Sequence, residues 1–180
     1  QNLARDGVAW FRVKSPKQEF PVLPWKHPDT GRLLFPVGRF NGSWTYAELR
    51  FALDRGYEIE ELFDCIEYQS MPSPFVGYID FLAALKAEMK TKDPLMSYVA
   101  KTGMNSTFGK FGEEGDLQVV SRGKRFLMHQ IPKHSNMIWA AYILAYGRMN
   151  LYRHMEAVQG KGTLLYVDTD SVFVRSHKKP

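Results

Sequence analysis

The sequence predicts an α+β fold, with strands towards both ends of the chain and helices between them. Three observations point there. The run VAWFRV, Val8 to Val13, alternates with period two and stops at Ser15-Pro16. Helix punctuation follows: Thr45 and Asp93 stand where N-caps belong, and Gly56 stands beyond a helix end. Near the C-terminus, two apolar, β-branched and aromatic runs, TLLYV and SVFVR, flank an acidic triplet.

Element by element, FPVLP and RLLFPVG continue the strand-and-turn region, punctuated by Pro21, Pro24, Pro36 and Gly38. Thr45 with Glu48 three residues on reads as a capping box, and the helix YAELRFALDR should end at Gly56. Residues 57–69, YEIEELFDCIEYQ, read as a strand, with helix as the alternative. Residues 75–92 read as a helix with Phe75, Phe81, Leu82, Leu85 and Met89 along one side. Asp93-Pro94 is an N-cap followed by Pro at the first helical position. The helix it opens should reach about Phe108, with Gly109 beyond its end. Gly112 to Arg125 is polar and reads as a loop or hairpin. Ser135 caps the longest expected helix, which stops before Gly160 with Ile138, Tyr142, Ala145, Met149 and Tyr152 as its apolar stripe.

A chain of 180 residues, 44% hydrophobic and 14% aromatic, can bury one core or two small subdomains. No apolar run is long enough to span a bilayer, and QNLARDGVAW has no signal-peptide apolar region. The lone Cys65 excludes an internal disulfide and fits a reducing compartment. It reads as a core or surface residue rather than a nucleophile, and the five His show no metal-ligand spacing. The net charge of +5 is uneven. Residues 1–100 hold 12 Lys+Arg against 13 Asp+Glu, and residues 101–180 hold 12 against 6. A basic surface around an acidic pair suits a polyanion approaching a metal.

That pair is Asp168 and Asp170. In a strand, residues two apart share a face. A turn relaxes this, yet both carboxylates can still aim at one point beyond the strand ends. Two acids so close repel, and a hard divalent cation offsets the repulsion. The bland alternative is an acidic turn that solvates itself. A second constellation is KTGMNSTFG, Lys101 to Gly109, in which Lys101, Asn105 and Phe108 fall at i, i+4 and i+7 on one helix face. A cation, an amide and a ring make a poor core face but a good nucleotide face. Here the bland alternative is an amphipathic helix with a solvated Lys.

KTGMNSTFG resembles the Kx3NSxYG motif of family B DNA polymerases, and YVDTDS, Tyr166 to Ser171, resembles their YxDTDS motif. Their order and separation also resemble the family's. LLFPVGRFNGSWTYAELRFALDRGYEI is similar to the segment between the first two polymerase motifs in protein-primed enzymes of phages and linear plasmids. ILAYGRM resembles a Tx2GR-like DNA-contact element, with Leu144 where Thr would stand, so only Arg148 carries over.

The resemblance implies a partial domain: a palm with an antiparallel sheet and catalytic β-hairpin, plus a helical fingers hairpin. It divides the chain into a palm-associated insert (1–74), fingers (75–111) and palm (112–180). It implies two-metal nucleotidyl transfer from dNTPs to a primer 3′ end, with Asp168 and Asp170 as catalytic Mg²⁺ ligands and Asp170 the stronger. Lys101 would hold the triphosphate, with Asn105 and Phe108 at the nucleotide. Lys86, or its competitor Lys90, would add a phosphate contact, and Arg148 would touch DNA. Partners are a DNA template-primer, dNTP and a terminal priming protein. The location is the cytoplasm of a prokaryotic host or an organelle.

Two departures stand out. Phe108 replaces the motif's Tyr, and nothing matches the family's first metal motif, an Asp followed by SLYP. That motif is expected just before Gln1, so the chain reads as an interior slice, inactive alone. A haloacid-dehalogenase-like phosphatase would need its DxD on an early strand, and only eight residues follow Val172. A nucleotide-sugar transferase leaves KTGMNSTFG unexplained. A non-enzymatic basic nucleic-acid-binding module remains the alternative.

Overall fold

The computed structural model describes residues 5–69, 72–113, 115–121, 124–130, 132–133 and 135–176, with the backbone alone for Phe108 and for residues 115–121 and 124–130. In chain order the elements are β1 (Asp6–Ser15), β2 (Trp25–Lys26), β3 (Leu33–Leu34), β4 (Gly38–Thr45), α1 (Tyr46–Leu53) and β5 (Glu58–Tyr68). They continue with α2 (Val76–Lys92), α3 (Pro94–Phe111), β6 (Gly115–Ser121), β7 (Lys124–Gln130), α4 (Met137–Val158), β8 (Gly162–Asp168) and β9 (Ser171–Ser176). The chain forms two compact units, Gln1–Ser70 with Tyr142–Pro180, and Met71–Ala141. Residues 112–141 thus cluster with the helices rather than with the C-terminal strands.

The first unit is built on an antiparallel sheet ordered β4-β1-β5. The alternation in β1 buries Ala9, Phe11 and Val13 and turns Trp10, Arg12 and Lys14 to the other face. Val22, Leu23, Trp44, Tyr46, Ala47, Leu49, Phe51, Ala52, Tyr57 and Met149 join them in the core. Thr45 Oγ1 accepts the Glu48 amide at 3.3 Å, which is the expected N-cap, and the turn after α1 closes on Gly56 at φ 81°. Residues 57–69 resolve to strand, as β5. From α4, the Tyr142 hydroxyl accepts the Gly7 amide and donates to the Gly7 carbonyl, both at 2.9 Å. Tyr152 donates to the Phe20 carbonyl at 2.7 Å. Arg55 gives Nε and Nη2 to the Glu156 carboxylate while stacking 3.5 Å from the Phe51 ring centre.

The second unit is a helical hairpin, α2 and α3, followed by the β6–β7 hairpin and the start of α4. The Asp93 carboxylate accepts the Leu95 and Met96 amides, both at 3.1 Å, and Pro94 occupies the first turn as expected. Gly103 packs on α2: a Cβ there would sit 3.2 Å from Leu82 Cδ1. At the hairpin base, Phe75, Phe111 and Trp139 form a closed triangle with every pair of ring centres 5.1 Å apart.

Two expectations are corrected. The helix expected to stop before Gly109 continues to Phe111, because Phe111 is held by two rings. The cap of α4 is Asn136, whose Oδ1 accepts the Trp139 amide, while the Ser135 hydroxyl donates instead to the Glu113 carbonyl. The expected loop or hairpin after Gly112 resolves to β6 and β7.

Candidate functional site

β8 and β9 pair from Gly162↔Ser176 to Asp168↔Ser171, leaving Thr169 and Asp170 as a two-residue turn. β-Branched and aromatic residues build the strands, and the acids fall where pairing ends. Asp168 closes β8 and Asp170 is the second turn residue, so both carboxylates belong to one hairpin tip. Both are exposed. Thr169 Oγ1 donates to Asp168 Oδ1 at 3.0 Å, and Ser171 Oγ donates to Asp170 Oδ1 at 3.3 Å. Thr169 has φ 43°, in the left-handed region that a β-branched residue rarely enters. Among the described residues, no group of three or more His, Cys, Asp or Glu side chains converges for a metal. The hairpin offers hard carboxylate oxygens of the kind Mg²⁺ prefers, but only a partial ligand set.

In the second unit, Lys101 and Asn105 are exposed on α3. They flank Gly103, which faces α2, by two residues on either side. Two residues are about half a turn, so both lie on the face turned away from α2, and Phe108 shares that face by position. The side chain of Phe108 lies outside the described residues. Lys86 and Lys90 are both exposed on α2, and the Lys86 carbonyl accepts the Ser97 hydroxyl at 3.0 Å.

Arg148 lies on α4 and gives Nε and Nη2 to a single oxygen, Glu48 Oε1, at 2.8 and 2.7 Å. The Glu48 side chain is only 5% exposed, against 28% for Arg148. Burial pushes the Glu48 carboxyl above its ordinary pKa, and the Arg148 charge and hydrogen bond and the Thr45 contacts only partly oppose this. Arg148 is therefore more engaged than a solvated charge on an amphipathic helix would be. Sequence reasoning missed Glu48 as its partner, because 100 residues separate the two and Glu48 already read as a capping residue. It also missed the strain at Thr169, for which a β-branched residue inside a two-residue turn was the available signal.

Residues 7–125 match the family of DNA polymerase type B, organellar and viral. The chain belongs to this family. The matched stretch includes KTGMNSTFG but ends before the acidic hairpin. A probable DNA polymerase of Neurospora intermedia is 26% identical over 195 aligned residues, covering 91% of this chain and 20% of the relative. Phi29 DNA polymerase in an orthorhombic crystal form superposes with a TM-score of 0.69 at 15% identity, over 97% of this chain and 33% of the other. The same polymerase with primer-template DNA gives 0.69 at 15% identity, over 100% and 33%. At that identity the superpositions show the fold. The chain spans about a fifth of the curated relative and a third of the solved structures. Among the described residues, no helix is long and apolar enough to cross a membrane.

Proposed function

We propose that this chain is the palm-and-fingers part of a DNA-directed DNA polymerase, of the kind that starts from a priming protein. The observation that carries the reading is the β8–β9 tip, where a chain of this family presents Asp168 and Asp170 together. The division at 1–74, 75–111 and 112–180 into insert, fingers and palm belongs to this proposal.

Asp168 and Asp170 would hold Mg²⁺, which when bound supplies charge stabilisation of the transferring phosphoryl group. The protein's own part is positioning. The β8–β9 pairing and the hydroxyls of Thr169 and Ser171 fix the carboxylates before any substrate arrives. Lys101 would neutralise the triphosphate, Asn105 would donate to a phosphate or sugar oxygen, and Phe108 would pack against sugar and base. Lys86, with Lys90 as competitor, would add a phosphate contact. Arg148 already gives one N–H each from Nε and Nη2 to Glu48, so the two Nη1 donors and the second Nη2 donor are those open to a DNA phosphate. Template-primer and dNTP are the substrates, and a cytoplasmic or organellar setting follows from the same reading.

The test is primer extension by a polymerase that carries this segment together with the family's first metal motif. Asp170→Ala should abolish extension while duplex binding persists. Lys101→Ala should raise the apparent KM for dNTP at least tenfold with a smaller effect on duplex binding. Unchanged kcat and KM in both variants would refute the assignment.

A further inference from the structure

We propose that the cleft between the β2–β3 hairpin and β4 is a subsite for single-stranded nucleic acid, separate from the acidic hairpin. The cleft has a volume of about 370 Å³ and is lined by Pro24, Trp25, Lys26, Leu33, Asn41 and Ser43, with the Gly42 backbone between them. Its chemistry is an aromatic face, a cation, an amide and a hydroxyl converging on one open space. Stacking on Trp would hold a base, Lys26 would meet the phosphate, and Asn41 and Ser43 would reach base-edge or sugar oxygens. Asn41 Oδ1 already accepts the Arg12 Nε–H at 3.2 Å, which leaves the side-chain amide N–H groups as the donors.

The walls are built rather than incidental. The Trp44 indole donates to the Pro24 carbonyl at 2.8 Å, tying the hairpin's entry to the core. The Val22 amide donates to the buried Tyr57 hydroxyl at 2.8 Å. Two-residue strands cannot hold themselves, so these anchors fix the cleft.

The surroundings favour an extended strand over a single nucleotide. On the outer face of the sheet, Ser43 pairs with Trp10 in the neighbouring β1. Trp10 is 48% exposed, stacks 4.6 Å from Phe63, and has Arg12 nearby, 5.3 Å from the Phe63 ring centre. Trp10 is thus an exposed ring whose register partner, Ser43, lines the cleft. The arginines on this face of the sheet are already engaged, Arg39 of β4 with Glu60 at 2.6 Å and Arg12 of β1 with Glu61 at 2.6 Å, so attraction for a polyanion rests on the cations of the hairpin itself. Lys26 and Arg32 stand exposed on the hairpin and favour a polyanion there.

The experiment labels the chain with 5-fluorotryptophan and follows the indole ¹⁹F resonances during titration with the hexanucleotide dT6. Saturable movement of the Trp25 resonance is expected. Lys26→Gln and Trp25→Leu should each weaken dT6 binding by about tenfold, read by anisotropy of the labelled oligonucleotide. Affinity should fall with a shallow log–log salt slope of about −0.7 per phosphate contact. Lys26 is exposed, so its variant keeps the test decisive if Trp25→Leu fails to fold. The Trp25 titration should be unchanged in Lys101→Ala, which separates this subsite from the proposed nucleotide face. A Trp25 resonance that stays still at saturating dT6 would overturn the proposal. So would a proline-rich decapeptide that moves it where dT6 does not, since the cleft would then be a protein surface.

Discussion

Thr169 sits between the two carboxylates with its backbone in a region that glycine occupies freely and threonine does not. A strained residue at such a position costs on the order of 1–3 kcal/mol. Thr169→Gly should therefore leave the unfolding free energy unchanged or raised by up to about 1 kcal/mol, after glycine's own entropy is counted. Urea denaturation of the chain measures this, and a loss above about 2 kcal/mol would show that the turn is unstrained. Glu48 and Arg148 give a second prediction at this scale. The folded Glu48 carboxyl is raised, so its contribution to stability is fully present at low pH and is lost as pH rises through the folded value. Arg148→Met removes the attraction that opposes the shift. The carboxyl should then rise further, and the variant's deficit should grow with pH. About 3 kcal/mol is expected at pH 8, where a buried carboxylate is left unpaired, and far less near pH 4, where both states are largely protonated. A deficit equal at both pH values would falsify the pairing as the cause. The Glu48 effect could not be read from local sequence, because it depends on a contact across 100 residues, whereas Thr169 offered only the signal of a β-branched residue in a two-residue turn.

The elements were legible where their signals are local. Thr45 and Asp93 cap the helices expected of them, since a cap needs only its own side chain and the next turn's amides. The β8–β9 turn fell on the acidic triplet for the same reason. Local signals failed where tertiary contacts outweighed them. Gly109 inside α3 costs about 1 kcal/mol relative to Ala, and the contacts of Phe111 with Phe75 and Trp139 offset that. Ser135 and Asn136 are equally good caps by type, and only the Glu113 carbonyl decides between them by engaging the Ser135 hydroxyl. The union of α4 with β1 rests on Gly7. A Cβ there would meet the Ile66 carbonyl oxygen at 2.8 Å and the Tyr46 ring at 3.0 Å. Gly7→Ala should therefore destabilise the chain by about 2 kcal/mol, because backbone rather than a flexible side-chain end must give way. It should also weaken the paired bonds of Gly7 to Tyr142. Urea denaturation, with hydrogen exchange at Gly7, checks both. Wild-type stability and protection in the variant would mean that β1 shifts freely.

At the scale of the whole molecule, charge and incompleteness decide what the chain does by itself. The half that carries Asp168 and Asp170 is basic, 12 Lys+Arg against 6 Asp+Glu, so it should attract DNA without sequence preference. Attraction is not catalysis. Two divalent ions bring a combined charge of +4 into a small volume, and they need carboxylates on several sides. Among the described residues only the pair at the hairpin tip is available, with no third acid, Cys or His converging on it. With so few ligands the ions would bind weakly, and an attacking 3′ oxygen would lack the fixed geometry that accounts for most of the acceleration in phosphoryl transfer. The 180-residue chain alone should therefore bind primer-template DNA weakly, with affinity falling steeply from 50 to 200 mM salt, and should not extend the primer. Primer extension with Mg²⁺ and dNTPs, with Asp170→Ala as control, is the assay. Extension by the unmodified chain that the control abolishes would show that the hairpin pair suffices without a third carboxylate.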